Sequence, residues 1–114
     1  MRLYKLCKMR GQTIGELEEL VLLTIGSLHG DSYAIVILNE IQTHTGRKLD
    51  VTAIHSVLRR LEKKGLVVSE MGGATSERGG RRKRFFQLTI TGRKVLEETM
   101  QLRMTLYKKM LGAT

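Results

Sequence analysis

The sixteen residues from Asp50 to Gly65 constrain the chain more than any other stretch. Within them Ile54, Val57, Leu58 and Leu61 recur at i, i+3, i+4 and i+7, a spacing that a backbone satisfies by forming a helix with one apolar face. At about 100° per residue the opposite face carries Thr52, Ser56, Arg59 and Lys63, with His55 and Arg60 on the flanks. Asp50 can cap the start, Lys63 and Lys64 suit the negative C-terminal end, and Gly65 supplies the stop. Small side chains early (Thr52, Ala53, Ser56) and cations late (Arg59, Arg60, Lys63) suit a major groove. The small residues admit close approach to base edges, and the cations reach edges or phosphates. Taken alone, the same pattern also describes an ordinary surface helix with a solvated basic face. The rest of the chain decides between the two.

Twenty Lys and Arg against eleven Asp and Glu give a net charge of +9. In a soluble domain that imbalance favours a polyanionic partner, nucleic acid first and an acidic membrane surface second. The 114 residues, 41% of them hydrophobic, suffice for one domain with a real core. No apolar run approaches the roughly 18 residues that span a bilayer, so no membrane partner is expected. The N-terminus is charged but lacks the apolar core of a signal peptide. A single cysteine, Cys7, leaves no internal disulfide framework and suits a cytoplasmic protein.

Residues 1–12 are basic and weakly patterned (Arg2, Lys5, Lys8, Arg10) and read as an arm or a short helix. Thr13 and Glu16 then offer a capping box. From there Leu17, Leu20, Val21, Ile25 and Leu28 form a helical stripe that Leu22 and Leu23 broaden. A helix apolar on more than one side must bury against its own domain and against a partner chain. The run from Gly26 to Ser32 punctuates the chain and supplies Asp31 or Ser32 as the next cap. A second helix is expected over 32–45, with Ala34, Ile37, Leu38 and Ile41 inward and Gly46 as its end. Followed closely by the helix over 50–65, it makes a helix-turn-helix arrangement.

After Gly65 the period changes. Residues 66–71 are β-branched and strand-like, and 85–89 follow with Phe86 and Leu88 on one face. The connection between them holds Gly72, Gly73, Gly79 and Gly80 with Arg78, Arg81, Arg82, Lys83 and Arg84. A Gly-bearing hairpin with five cations in seven residues reads as a wing. Its glycines let the backbone approach phosphates or the minor groove, and its cations neutralise them. Thr89 or Thr91 caps a last helix reaching about Leu111. It carries one stripe of Leu96, Met100, Met104, Tyr107 and Leu111, and a second of Val95, Leu102, Leu106 and Met110. Such a helix is too apolar to stand in water alone. The expected resolution is a twofold homodimer, with Leu17 and Leu20 of the first helix joining the seam. The whole predicts a mostly α protein with a small β-hairpin wing: a winged helix-turn-helix over 13–90, and a dimerisation helix over 91–114.

This order resembles the PadR-like transcriptional regulators, a winged helix-turn-helix family. Three segments carry the resemblance: Leu28-His29-Gly30 with Tyr33-Ala34-Ile35, the run from His55 to Val67, and Glu77-Arg78-Gly79-Gly80-Arg81 through Phe86 with Leu88, Thr89 and Gly92. It covers roughly residues 14–98. His55 departs from it, standing where members commonly carry Tyr. The resemblance implies a homodimer joined by first and last helices, usually a repressor, on double-stranded DNA. Some relatives bind flat drugs between aromatic side chains at the dimer centre. With no Trp, and only Tyr107 in the final helix, that activity is not carried over. Plain packing is the first expectation for the Met and Tyr side chains of the seam; an unidentified apolar effector held by them is the remaining ligand expectation.

An enzyme would need converging groups. Cys7, His29, His44 and His55 show no ligand-like spacing, so neither catalysis, metal nor cofactor is expected. A protein-interaction module would explain the last helix but not the basic hairpin. A nonspecific nucleic-acid-binding module is the other alternative; RNA recognition usually needs aromatic platforms, and the chain has only two Phe residues.

Overall fold

Hydrophobic periodicity and the elements that form follow the same order in the computed structural model, which describes residues 14–72 and 83–112. These residues form α1 (Glu16–Leu28), α2 (Ala34–Thr45), α3 (Val51–Lys63), β1 (Val67–Met71), β2 (Arg84–Leu88) and α4 (Ile90–Met110). The two strands pair antiparallel, from Val67 opposite Leu88 to Met71 opposite Arg84. The chain is a winged helix-turn-helix with a long C-terminal helix.

One core holds the elements together. Val21, Leu22 and Ile25 of α1 meet Ile37, Leu38 and Ile41 of α2 and Ile54, Val57, Leu58 and Leu61 of α3. Leu66, Val67 and Phe86 close it from the hairpin, and Val95 and Leu96 from α4. Burying each such side chain contributes roughly 1.5–3 kcal/mol, so the stripe on α3 fixes which way its opposite face points.

A polar knot joins the hairpin to α4. Thr89 is the N-cap: its Oγ1 accepts from the Gly92 N–H at 2.9 Å and donates to the Gly65 carbonyl at 2.7 Å. Its own N–H donates to the Leu66 carbonyl at 3.0 Å. The two backbones cross so closely there that a Cβ on Gly92 would lie 2.0 Å from the Leu66 oxygen. Of the two expected caps, Thr89 is the one used.

Two helix starts differ from expectation. The N-cap of α1 is Gly15, and the Glu18 carboxylate accepts from the Gly15 N–H at 2.9 Å. The reach-back that Glu16 was expected to make therefore belongs to Glu18, while Thr13 lies outside the described residues. Helix α2 begins at Ala34 with Tyr33 as N-cap, rather than Asp31 or Ser32. Ser32 is fully buried instead; its hydroxyl donates to the Ile25 carbonyl and its carbonyl accepts from the Phe86 N–H. Tertiary contacts thus take the hydroxyl that local geometry offered to the helix. Gly46, at φ 73, ends α2 as expected, and Gly65, at φ 78, follows α3. Asp50 is the N-cap of α3, but no side-chain capping bond forms; its carbonyl accepts from Ala53 and Ile54.

Helix α4 leaves the domain. Gly92, Val95 and Leu96 are buried and Met100 is half-buried, whereas every residue over 101–112 is exposed. The molecule is correspondingly long, 56 × 32 × 22 Å.

Candidate nucleic-acid interface

The face of α3 opposite its buried stripe is built by elimination. With Ile54, Val57, Leu58 and Leu61 almost fully buried, Thr52, His55, Arg59 and Lys63 stand exposed along one side, with Ala53 and Ser56 half-buried beside them. These residues thus share one accessible surface about three turns long.

Arg60 stands apart from that group. Its Nε donates to Glu18 Oε2 of α1 at 3.2 Å, and Lys64 Nζ donates to both oxygens of the same carboxylate at 3.0 and 3.1 Å. The Glu18 side chain is only 6% exposed, while that of Arg60 is 54% exposed. Burial pushes the Glu18 carboxyl up, but the Gly15 N–H, Lys64 and Arg60 together outweigh it and hold the group below its ordinary range. The last turn of α3 is therefore pinned to the first turn of α1.

At its other edge α3 is tied to the hairpin. Ser69 Oγ donates to Glu62 Oε2 at 2.6 Å, and Arg84 Nη1 donates to Ser69 Oγ at 2.9 Å. Facing this chain, Tyr33 at the start of α2 meets Phe85 edge to face, with ring centroids 5.3 Å apart. The ammonium of Lys83 lies 4.6 Å from the Tyr33 ring centroid, a cation–π arrangement that orders a side chain otherwise free in water. Between these groups runs a cleft of about 600 Å³, lined by Tyr33, Ile35, His55, Arg59, Lys83 and Arg84 among others. One acid, Glu62, faces three cations there. The cleft continues the exposed face of α3 towards the hairpin as one basic surface, suited to a polyanion.

Tyr33 and Ile35, expected only as part of the turn into α2, also line this surface. Of the expected wing residues, Lys83 and Arg84 lie on the surface, and Arg78, Gly79, Gly80, Arg81 and Arg82 lie outside the described residues. So do the basic arm over 1–12 and Cys7. His29 caps α1 in a left-handed conformation, φ 49, and His44 pairs with Glu40 at 3.1 Å. Among the described residues no cluster of His, Cys, Asp or Glu could hold a metal ion, and no helix is long and apolar enough to cross a membrane.

The residues expected at a dimer seam divide. Leu96 lies in the chain's own core, and Leu17, Leu20 and Met100 are half-buried against it. Met104, Tyr107 and Leu111 are 52%, 53% and 59% exposed. Leu102, Leu106 and Met110 are exposed with them.

Comparison with known proteins agrees with this geometry. The model of the transcriptional regulator PadR-like family matches residues 21–98. Among solved structures, a transcriptional regulator from Clostridium thermocellum is 25% identical, with a TM-score of 0.62, 91% of this chain and 93% of that one being covered. A PadR family transcription regulator from Clostridium difficile is 22% identical at TM-score 0.68, covering 86% and 97%. A PadR-like transcriptional regulator from Bacillus cereus is 22% identical at TM-score 0.65, covering 93% and 97%. Nothing among curated proteins matches the chain. The family match spans α1 from Val21, both later helices of the helix-turn-helix, the hairpin and the buried turns of α4. The chain belongs to the PadR-like family of transcriptional regulators, whose action is DNA-binding regulation.

Proposed function

We infer that the protein is a homodimeric repressor that reads a palindromic operator, without enzymatic activity and in the cytoplasm. In this reading α3 enters the major groove. Thr52, Ala53, His55 and Ser56 approach base edges, and Arg59 and Lys63 reach edges or phosphates. Lys83 and Arg84 continue onto the flanking backbone, joined by the glycines and arginines of the wing tip. The observation that carries the reading is the continuous basic surface formed by the exposed face of α3 and the Tyr33–Lys83–Arg84 side of the cleft.

A second copy is the occupant that suits the end of α4. Leu102, Met104, Leu106, Tyr107, Met110 and Leu111 are all exposed on one terminal helix, more apolar surface than a lone domain usually leaves in water. An isologous twofold contact between two such helices, with Leu17 and Leu20 at its margin, covers them. It also places two α3 helices on half-sites about one helical turn, ~34 Å, or a multiple of it apart. An apolar effector between Met104 and Tyr107 of the seam would act by changing that separation.

Selection of bound sites from a random duplex pool tests the reading. The expected product is a palindrome whose half-sites repeat at whole helical turns. Recovery of duplexes sharing no motif, or equally tight binding of a single strand in a parallel titration, would leave a nonspecific nucleic-acid-binding module as the better description.

A further inference from the structure

Away from the cleft, the Glu18 carboxylate is a heavily engaged polar group. It sits in the first turn of α1, and four donor contacts converge on its two oxygens. Oε1 accepts from the Gly15 N–H at 2.9 Å and from Lys64 at 3.0 Å; Oε2 accepts from Arg60 at 3.2 Å and from Lys64 at 3.1 Å. Two of the three partners belong to the last turn of α3 and its C-cap.

The contacts do more than satisfy a buried charge. The hydrophobic stripe of α3 fixes which face points inward, but apolar packing tolerates small rotations and axial slips of a helix. Directional, charge-assisted hydrogen bonds do not. At the hairpin edge the Glu62–Ser69–Arg84 chain supplies one such restraint, and the Glu18 hub supplies the other, at the opposite edge of the same helix. Base readout by short side chains such as Thr52 and Ser56 is the function most sensitive to such slips, because they have no length with which to compensate.

We propose that Glu18 is a positioning residue for operator recognition, setting the rotation and depth of α3 through Arg60 and Lys64 without touching DNA. The proposal rests on the reading of α3 as the DNA-reading helix. It gives Arg60 a specific role: its Nε is held by Glu18 and more than half of its side chain remains accessible, so it reaches a phosphate from a fixed base. It also separates two effects that plain electrostatics would merge. Removing a negative charge near a polyanion site strengthens nonspecific binding, whereas loosening α3 weakens specific binding.

The test uses the full chain, the duplex selected by the wild-type protein, and a scrambled duplex, at a temperature where each variant is folded by circular dichroism. Glu18→Gln, which keeps the shape and removes the charge, is expected to bind the selected duplex about tenfold more weakly and the scrambled duplex as well as or better than wild type. In an Arg60→Gln, Lys64→Gln background the same change is expected to alter the ratio of the two affinities less than twofold, roughly the limit of additivity for uncoupled sites. Lys64→Gln alone provides a milder probe in case Glu18→Gln fails to fold. It is expected to lower the specific-to-scrambled ratio about threefold, where loss of a simple phosphate contact would weaken both duplexes alike. A folded Glu18→Gln protein of lower melting temperature with an unchanged affinity ratio would overturn the proposal. So would parallel losses on both duplexes for Lys64→Gln. If the wild-type protein itself selects no duplex, the DNA-reading assignment of α3 fails, and the proposal falls with it.

Discussion

Glu19 and Arg103, 84 positions apart in sequence, meet through two hydrogen bonds, Arg103 Nε to Oε2 at 3.0 Å and Nη2 to Oε1 at 2.8 Å. This fork joins the first turn of α1 to α4 just where the last helix leaves the core, and so fixes its exit direction. Glu18, one residue earlier, grips α3. Neighbouring carboxylates of α1 therefore hold α3 and the projecting α4 against the same short scaffold.

Arg103→Ala should change both geometry and stability. The arginine is 61% exposed but the Glu19 side chain only 12%. Losing this charge-assisted fork leaves a largely buried carboxylate without it and should lower the melting temperature by several degrees. With spin labels at position 63 in a Cys7→Ser background, the distance distribution between the two α3 helices of a dimer should broaden. An unchanged distribution would mean that α4 is aimed by its apolar contacts alone.

Gly92 and Gly26 predict opposite outcomes for one substitution. Gly92→Ala drives a methyl into the Leu66 carbonyl, 2.0 Å away, where neither backbone can yield without opening the Thr89 knot. A loss of about 3 kcal/mol is expected in denaturant titrations. At Gly26 the nearest neighbour of a new Cβ is the flexible Leu88 Cδ1 at 3.4 Å, within a helix. Gly26→Ala should therefore raise stability by about 0.5–1 kcal/mol.

The Glu18 hub makes stability depend on acid in a defined direction. Its carboxyl is held below the ordinary value of 4.5 by the Gly15 N–H, Lys64 and Arg60, against the upward push of burial. A group depressed on folding contributes stability that is present above its unfolded pKa and lost as pH falls through the folded one. The difference in unfolding free energy between wild type and Glu18→Gln, about 2 kcal/mol at neutral pH, should shrink steadily as the pH is lowered below that value. A difference that stays constant to pH ~3 would contradict the ion-paired description.

How much of this the sequence announces depends on the range of the interaction. The stripes on α1, α2 and α3 are local, repeating within one or two turns. On α2 and α3 the buried residues come from the sets that periodicity names, while on α1 Val21, Leu22 and Ile25 are buried and Leu17, Leu20 and Leu28 only half-buried. Gly46 and Thr89 are legible for the same reason, since one residue's conformation or one side chain decides each end. The Glu18 hub was not legible: Arg60 and Lys64 lie 42 and 46 positions away, and no spacing rule connects them. Arg60 therefore read as one more basic-face residue. Apolar stripes also do not say whom they bury against. Leu96 and Met104 look equivalent along α4, yet Leu96 is in the chain's own core and Met104 is outside it. The difference is set by where α4 clears the hairpin.

The exposed half of α4 carries the dimer prediction. Met104→Asp with Leu111→Asp should leave the protomer folded, because both side chains are already more than half exposed. In sedimentation the variant should be a monomer. Its affinity for the selected palindrome should fall far more than its affinity for a single half-site, since a dimer binds the second half-site at high effective concentration. A double variant that stays dimeric and binds normally would place the seam elsewhere.

Arg59 gives the most direct test that the exposed face of α3 reads sequence. It lies in the middle of that face and borders the cleft. Equilibrium titration of Arg59→Ala against the selected duplex and a scrambled one should show a loss of about 1–3 kcal/mol on the first and a smaller loss on the second. Equal losses on both duplexes would reduce Arg59 to a phosphate contact, and no loss on either would remove the face from the DNA.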